Sequence, residues 1–347
     1  YEFADLRLTE TGGTTFAPVK FYLDQDAYNH RRSAHVAFEA WHDFHPGDRI
    51  AYLWGAIQDS PATSWKSKLR TEFANRVRFY PSLPLDQDIL ERYIADLRKF
   101  EPKVLQAYPA ALDILGRYLL DSGRTLPIPV VVSSAEPLTA EVIAIVQEAF
   151  GVTPYDFYGS RDAGYVGREC DAHKGLHINA YGLHVENEPL PTEGAAPLQS
   201  IVVTDLWNEG FPLIRYATED LGELTNEPCS CGRALPRIVD LQGRIGDVFA
   251  TRFGQLIPPT GIRPGASGYD QSFSGIQIIQ SAPATFEALI VPREGFDETL
   301  ARQKIQEAMS DLVGESVSLT LRIVSEIPRE PSGKFRSMKR TFKLPST

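Results

Sequence analysis

The alternation of apolar strands, polar turns and amphipathic helices is the feature that most restricts how this chain can fold. The run from Pro129 to Ser133 is rich in valine, as expected for a strand covered on both faces. A polar turn follows it, and residues 139–150 then predict a helix. Upstream, residues 49–54 predict another strand, and residues 88–99 and 109–121 predict amphipathic helices. This order favours an α/β fold, in which helices pack on the faces of a largely parallel sheet.

The second half of the chain is richer in predicted strands and divides into two parts. A length of 347 residues suits one large domain and one small domain. We place the boundary at Gly243-Arg244, which gives a large domain at 1–243 and a small domain at 244–347. The predicted strands are 199–205, 211–216, 275–281, 286–292 and 317–324, and the last three surround a predicted helix at 297–313. The small domain is therefore predicted to be a βαβ-like module.

Composition excludes several classes of protein. The chain has 35 basic and 45 acidic residues, and a net charge of −10 argues against a nucleic-acid partner. No apolar stretch approaches the ~20 residues that a membrane helix needs, and we predict no membrane partner. Three cysteines do not suggest a disulfide framework, which predicts a cytoplasmic protein. The chain begins at Tyr1 without an initiator Met, so we expect the extreme N-terminal part of the large domain to be missing.

Five short motifs follow one another in a fixed order, and their side chains suit a nucleotide. They are Thr9–Thr15 (Thr-Glu-Thr-Gly-Gly-Thr-Thr), Tyr158–Asp162 (Tyr-Gly-Ser-Arg-Asp), Arg215–Asp220, Gly243-Arg244 and Pro331–Arg336. Glycine backbone N–H groups and threonine hydroxyls can hold an anion. Asp162 could bind Mg²⁺, Asp220 could accept ribose hydroxyls, and Lys334 could neutralise phosphate charge. Each motif alone is explained as well by an ordinary loop, a polar turn or a solvated cation, so the order of the five carries the interpretation.

Taken together, the motifs resemble those of the adenylate-forming superfamily, and within it the phenylacetate–coenzyme A ligase-like branch. The resemblance extends from Leu8 to Arg340. It implies a large mixed α/β N-terminal domain and a small, mobile α+β C-terminal domain that carries the catalytic lysine. It also implies the use of ATP and Mg²⁺.

The resemblance assigns roles to individual residues. The threonine–glycine loop would bind the phosphates, the segment after Ser134 would line the adenine, and Tyr158 would lie on its other face. The catalytic residues would be Lys334, which reaches the α-phosphate, Asp162, which serves the metal, and Arg244 in the hinge motif. The nucleotide-binding residues would be Thr11, Gly12, Gly13, Thr14, Thr15, Ala135, Glu136, Pro137, Tyr158, Gly159, Ser160, Asp220 and Arg244.

The implied reaction is the ATP-dependent activation of a carboxylic acid, and an aromatic acid is the substrate that the resemblance favours. The acyl-adenylate would then pass its acyl group to a thiol such as coenzyme A. Alternatives are transfer to an amine or a carrier protein, or a nucleotide-binding protein with little turnover. Phe16, Asp162 and Gly246 stand where the family usually has glycine, glutamate and an acidic residue. Phe16, Asp162 and the missing N-terminal part favour the last alternative. A homodimer is left open.

The cysteines form a separate pattern. Cys229 and Cys231 lie in one tight turn, and Cys170 precedes two histidines. A site of three thiolates and one imidazole would use every cysteine in the chain and would suit a structural zinc, which some relatives in this branch have in the same region. We prefer His177 as the fourth ligand, with His173 as the alternative. The competing interpretation is three thiols without a metal.

Overall fold

The computed structural model describes residues 6–10, 19–55, 76–82, 85–190, 198–257, 273–328 and 336–342. Within them lie the α-helices α1 (Gln25–Glu39), α2 (Gln87–Phe100), α3 (Pro109–Asp121), α4 (Ala140–Phe150) and α5 (Glu298–Val313), and the 3₁₀ turns Ala40–His42 and Ile245–Asp247. The strands before residue 200 are β1 (Arg7–Glu10), β2 (Lys20–Leu23), β3 (Ile50–Trp54), β4 (Val77–Pro81), β5 (Val104–Ala107), β6 (Val130–Ser134), β7 (Tyr155–Ser160), β8 (Gly164–Glu169), β9 (Leu176–Ile178), β10 (Leu183–Pro189) and β11 (Gln199–Asp205). The later strands are β12 (Tyr216–Thr225), β13 (Arg237–Arg244), β14 (Phe249–Ala250), β15 (Leu256–Ile257), β16 (Phe273–Ala282), β17 (Thr285–Pro292), β18 (Ser318–Ile323) and β19 (Met338–Arg340).

An eleven-stranded sheet of order β10-β11-β12-β13-β9-β8-β7-β6-β5-β3-β4 dominates the structure. From β4 to β7 neighbouring strands are parallel, whereas from β7 to β10 they are antiparallel. Leu105 and Val131 on the parallel half pack with Leu112 of α3 and Phe150 of α4 in one core. On the other face, α1 packs on β8, with the rings of Phe38 and Tyr165 4.9 Å apart. The α/β alternation of the sequence therefore produces a sheet with helices on both faces.

Local signals set the helix ends. The Thr139 hydroxyl accepts a hydrogen bond from Val142 N–H at the start of α4, and Gly151 ends that helix with a φ of +82°. The helix predicted at 109–121 is α3, and those predicted at 88–99 and 139–150 are within one residue of α2 and α4.

One predicted strand was wrong over most of its length. Residues 211–215 are not a strand, and β12 begins only at Tyr216. Pro212 has no N–H to donate to a neighbouring strand. Arg215 has a φ of +49°, which is incompatible with an extended strand.

A four-stranded sheet of order β18-β17-β16-β19 forms the small C-terminal unit. β16 and β17 are antiparallel, and β17 joins the parallel strand β18 through α5, so the predicted βαβ-like module is confirmed. Phe286 and Ile290 of the sheet pack with Ile305 and Met309 of the helix. Among the described helices, none combines the length and the apolar character needed to cross a membrane.

Candidate nucleotide and metal sites

Three of the predicted nucleotide residues meet beside the antiparallel strands. Tyr158 lies in β7, and its hydroxyl donates to Asp220 Oδ2 of β12 at 2.7 Å. In the next strand Arg244 pairs in register with Asp220, and its Nε lies 3.3 Å from Asp220 Oδ1. Burial, and then the neighbouring Asp220 carboxylate, raise the pKa of Tyr158 well above its usual value. The phenol therefore stays protonated and fixes the orientation of the carboxylate.

Asp162 lies in the turn that follows β7 and is held from two sides. Ala163 N–H donates to Asp162 Oδ1 at 3.1 Å, and the Tyr216 hydroxyl donates to Asp162 Oδ2 at 2.5 Å. Burial and this contact with a carboxylate raise the pKa of Tyr216. Tyr216 belongs to the Arg215–Asp220 motif, but the sequence alone assigns it no role. Nothing local in the sequence shows that β12 lies beside the turn after β7.

A second residue missed by the sequence is Arg31 of α1, which fixes the backbone of the same turn. Its guanidinium donates to Arg161 O at 2.9 Å and to Asp162 O at 2.5 Å, and it also pairs with Asp205 Oδ2 at 2.9 Å. Gly164 has a φ of +76°, and a Cβ there would lie 2.9 Å from Arg31 Cδ, so the turn needs glycine for both reasons.

The predicted adenine segment follows β6 directly. Ala135 has a φ of +73°, a strained conformation for a residue with a side chain and one that is frequent at functional sites. The Glu136 carboxylate accepts from Ala110 N–H in the first turn of α3 at 3.1 Å. This contact satisfies an otherwise free helix N–H and joins the segment to the core. Nearby, Ser160 Oγ accepts from Ala163 N–H at 3.0 Å.

The segment after Arg244 contains an acidic group, Asp247, directly after the Gly246 that the resemblance places at the hinge position. Asp247 forms an ion pair with Arg336. Arg336 Nη2 also donates to Gly246 O at 3.3 Å. Burial raises the pKa of Asp247, although the Arg336 cation acts in the opposite direction. The predicted phosphate loop Thr11–Thr15, Phe16 and Lys334 lie outside the described residues.

The three cysteines and His177 form a compact cluster, in which one ligand atom from each residue lies within 4.8 Å of all the others. Cys170 follows β8, His177 lies in β9, and Cys229 and Cys231 lie between β12 and β13. Cys170 Sγ is 3.8 Å from Cys229 Sγ, and Cys231 Sγ is 3.3 Å from His177 Nε2. These thiols are free, not disulfide-bonded. A tetrahedron with metal–sulfur bonds of about 2.3 Å has edges of about 3.8 Å, so the donor set fits zinc.

The surroundings of the cluster also suit a closed metal site. Cys170, His177 and Cys229 are buried. Burial raises the pKa of the Cys170 thiol to about 11. Burial acts in the same direction at Cys231, but hydrogen bonds from the Arg233 N–H groups and the other thiols lower its pKa to about 7. His173 lies apart from the cluster, since its Nδ1 contacts Glu169 Oε2 at 3.1 Å.

A half-buried carboxyl, Glu39 of α1, lies near cations but is not stabilised as an anion. Burial raises its pKa to about 7, although Arg168 and Arg32 act to lower it. His35 Nδ1 is 3.9 Å from Glu39 Oε1. Burial lowers the pKa of His35 to about 4, so these two side chains are not an ion pair at neutral pH.

Comparison with known proteins identifies relatives for most of the chain. Residues 250–341 match the family model of the CapK C-terminal domain. The chain is 28% identical over 287 residues to the phenylacetate-coenzyme A ligase of Thermus thermophilus. The aligned region covers 73% of this chain and 64% of that protein. It is 23% identical over 255 residues to the protein CapK of Staphylococcus aureus, covering 72% of this chain and 56% of that protein. The chain thus spans less than two thirds of the length of these curated relatives.

A solved structure shares the fold. A 2-hydroxyisobutyryl-CoA ligase, in complex with an acyl-AMP in the postadenylation state, aligns with a TM-score of 0.71 at 18% identity. The alignment covers 98% of this chain and 74% of that chain.

Proposed function

We propose that this relative of the phenylacetate–coenzyme A ligases, which has the fold of the adenylate-forming enzymes, activates a carboxylic acid with ATP. The contact of Tyr158, Asp220 and Arg244 is the observation that carries the proposal, because it places an oriented carboxylate beside a cation. Such a carboxylate can accept both hydroxyls of a ribose. Arg244 Nε is then close enough to contact a ribose or phosphate oxygen.

The first step joins the acid to the nucleotide. A carboxylate oxygen of the substrate attacks the α-phosphorus, the new acyl–phosphate bond forms, and the bond to pyrophosphate breaks as pyrophosphate leaves with the electron pair. Lys334 and the loop of Thr11, Thr14 and Thr15 would neutralise the charge on the phosphates, as the resemblance implies. Asp162 offers an oxygen ligand of the kind that Mg²⁺ prefers, and a bound Mg²⁺ would supply further neutralisation of phosphate charge.

The second step transfers the acyl group to a thiol, for which we propose coenzyme A. The thiolate attacks the acyl carbon, a thioester bond forms, and AMP leaves with the electrons of the broken carbon–oxygen bond. An aromatic acid is the proposed substrate because the matched relatives include phenylacetate-coenzyme A ligases. Transfer to an amine or a carrier protein is the alternative, and the effect of coenzyme A on turnover distinguishes the two.

The arrangement of domains and the metal belong to the same proposal. We assign 1–243 to the nucleotide-binding domain and 244–347 to a small domain that moves about the segment near Arg244. Cys170, His177, Cys229 and Cys231 would hold a structural zinc, since four protein ligands leave no position open for substrate. Cysteines that are free and gathered at one site also fit the reducing cytoplasm that we propose as the location.

The test is pyrophosphate release from ATP and Mg²⁺ with a panel of aryl and alkyl carboxylic acids, with and without coenzyme A. We expect acid-dependent release, which is greatest for aryl acids and is followed by thioester formation when coenzyme A is present. Wild-type protein that binds ATP but releases no pyrophosphate with any acid would contradict the proposal.

Lys334→Ala sharpens that test. Loss of a cation that acts on the transition state should lower pyrophosphate release roughly 10²- to 10³-fold, while ATP still binds. Lys339→Ala, in β19 of the same C-terminal segment, is the matched control and should retain wild-type release. Equal loss in both variants would mean that the lysine acts only through the general charge of the tail.

A further inference from the structure

The four residues of the metal cluster come from two loops that are distant in the sequence. Cys170 and His177 belong to the hairpin that joins β8 to β9, whereas Cys229 and Cys231 lie in the cysteine turn between β12 and β13. Cys170 and Cys229 are 59 residues apart, and His177 and Cys231 are 54 residues apart. Contacts outside the ligand set that fix the separation of the two loops would prepare the site for a metal.

Arg237 of β13 joins the hairpin to the chain that leads into the cysteine turn. Its Nη1 donates to Lys174 O, which lies within the hairpin. Its Nη2 donates to Glu227 O at 2.9 Å, and Glu227 shortly precedes Cys229 in the chain. A guanidinium is planar and permanently charged, so these two donors keep a fixed separation. One side chain, only 7% exposed, therefore ties both ligand loops to the same point.

The strand that carries Arg237 also packs directly on the hairpin. Arg237 pairs in register with His177 of β9. Gly175 in the hairpin has a φ of +96°, and a Cβ there would lie 2.5 Å from Ile238 O of β13. Because these backbone contacts already hold the hairpin against β13, the donation to Glu227 O is the contact through which Arg237 fixes the cysteine turn relative to the hairpin.

A bound zinc would leave the cluster with a net negative charge, and Arg237 is a cation close to it. Three thiolates outweigh the two charges of Zn²⁺, and a buried charge is stable only when it is paired. Burial lowers the pKa of His177, and the Arg237 and Arg233 cations act in the same direction, so both cations lie near the cluster. The Arg233 guanidinium lies over the ring of Trp41, 4.2 Å from its centroid, and Arg237 is the more deeply buried of the two.

We propose that Arg237 is the positioning residue of the metal cluster: it holds the hairpin and the cysteine turn at the spacing that zinc requires, and it thereby slows loss of the metal. The inference rests on the structural zinc proposed above, and it adds a residue that acts through backbone carbonyls rather than as a ligand. Partners outside the ligand shell change metal affinity roughly 10- to 100-fold, so the effect is measurable.

The test is the rate at which the full chain, purified with zinc, loses the metal to a chromogenic chelator. Arg237→Lys keeps the charge but not the planar fork, so it cannot hold both carbonyls in the same geometry. We expect zinc loss to be roughly ten-fold faster in Arg237→Lys and up to about 100-fold faster in Arg237→Gln, which also lacks the charge. Titration of metal-free protein with Co²⁺, followed by the thiolate–cobalt absorption bands, should show affinities weakened by similar factors.

Arg31→Lys is the matched control, because Arg31 also donates to two backbone carbonyls, those of Arg161 and Asp162. These carbonyls lie in the turn after β7 and not in either ligand loop. Arg31→Lys should lower the melting temperature by an amount similar to Arg237→Lys, yet release zinc at the wild-type rate. Equally fast zinc loss in Arg31→Lys and Arg237→Lys would show that metal retention follows general stability, and the proposal would be wrong.

Wild-type zinc retention in Arg237→Lys would also overturn the proposal, because the fork would then be unnecessary. Wild-type protein that binds neither zinc nor Co²⁺ would overturn the structural zinc itself and this inference with it, which distinguishes the two failures. If neither Arg237 variant folds at ordinary zinc levels, refolding across a series of zinc concentrations replaces the rate measurement. A positioning role predicts recovery at roughly ten-fold more zinc than wild type needs, and failure at every concentration contradicts it.

Discussion

The carboxylate site and the cysteine–histidine cluster lie on connected strands, but the protein satisfies their polar groups in opposite ways. Each carboxylate already has partners from the chain, since Asp220 contacts Tyr158 and Arg244, and Asp162 accepts from Tyr216. The thiols of the cluster contact one another, with Cys170 Sγ 3.8 Å from Cys229 Sγ, and Cys231 also contacts His177 and a backbone N–H of Arg233. Thiols are weak hydrogen-bonding groups, so these contacts do little to stabilise the fold.

This difference separates a site that exchanges its ligand from one that keeps it. Carboxylates held by phenol hydroxyls and a guanidinium remain satisfied when a nucleotide leaves, and a ligand can replace or share these partners. Buried thiols at tetrahedral spacing gain comparable stabilisation only from a cation. We therefore expect loss of the metal to affect stability and loss of a carboxylate to affect turnover.

Removal of the metal should have the largest effect. Cys229→Ser, or treatment with a strong chelator, should lower the free energy of unfolding by roughly 5 kcal/mol, because metal binding is coupled to folding. Metal analysis and thermal unfolding measure the two parts of the prediction, with about one zinc expected per wild-type chain. His173→Ala is the control, since His173 lies outside the cluster and should leave metal content unchanged. If wild-type protein without metal had the same melting temperature as the metal-bound protein, the cluster would not need a cation for stability and the contrast between the two sites would be wrong.

Substitution of Asp162 should have the next largest effect, and this effect should be on turnover rather than on stability. Asp162→Asn keeps the size of the side chain but removes the charge offered to Mg²⁺, so pyrophosphate release should fall roughly 10²- to 10³-fold. The melting temperature should change little. Tyr216→Phe, which removes only the hydroxyl that donates to Asp162, should cost less than about ten-fold. A larger loss in Tyr216→Phe than in Asp162→Asn would show that the phenol, not the carboxylate, supports the reaction.

Glu39 is a third carboxyl for this comparison. Burial raises its pKa by more than the nearby Arg168 and Arg32 cations lower it. Its pKa is raised from 4.5 to about 7, so the native state holds this proton more tightly than the unfolded state does. Stability should therefore fall as pH rises from about 4.5 to 7, by at most ~3 kcal/mol. Glu39→Gln should abolish this loss and be more stable than wild type at pH 8 but not at pH 4, in urea unfolding. Glu298→Gln on the exposed face of α5 should have the same stability as wild type at both pH values.

Tyr158→Phe should have the smallest effect and addresses orientation at the ribose site. Loss of the hydroxyl that donates to Asp220 should raise the KM for ATP about five- to ten-fold with little change in kcat, since one hydrogen bond is worth about 1 kcal/mol. Steady-state pyrophosphate release measures both constants. Tyr155→Phe in the same strand removes a hydroxyl that contacts Asp171 instead, and it should leave the KM unchanged. A fall in kcat alone for Tyr158→Phe would contradict a binding role.

Elements with local signals were predicted well. Pro109 starts α3, the caps Thr139 and Gly151 limit α4, and the valine-rich run from Pro129 to Ser133 forms most of the buried strand β6. The prediction of a strand at 211–216 was wrong because Pro212 and the positive φ of Arg215 interrupt it. The apolar residues around them had suggested a strand.

By itself the sequence determined which chemical groups are available. It supplied three cysteines with nearby histidines, the carboxylates Asp162 and Asp220 in separate motifs, and an α/β pattern that brings such motifs to a sheet. Those conclusions follow from residue type and short-range periodicity, which can be determined directly from the sequence.

Only the tertiary structure decided which of these groups meet. It placed His177 rather than His173 beside the thiols, because His177 lies in β9 opposite Arg237 of β13 while His173 is held by Glu169. It also joined Arg31 to Asp162, 131 residues away, and Asp247 to Arg336, 89 residues away. Such contacts depend on strand order and on irregular register, as between Tyr158 and Gly159, where a shift changes which side chains share a face. No local pattern carries that information, since it arises only when distant strands pair.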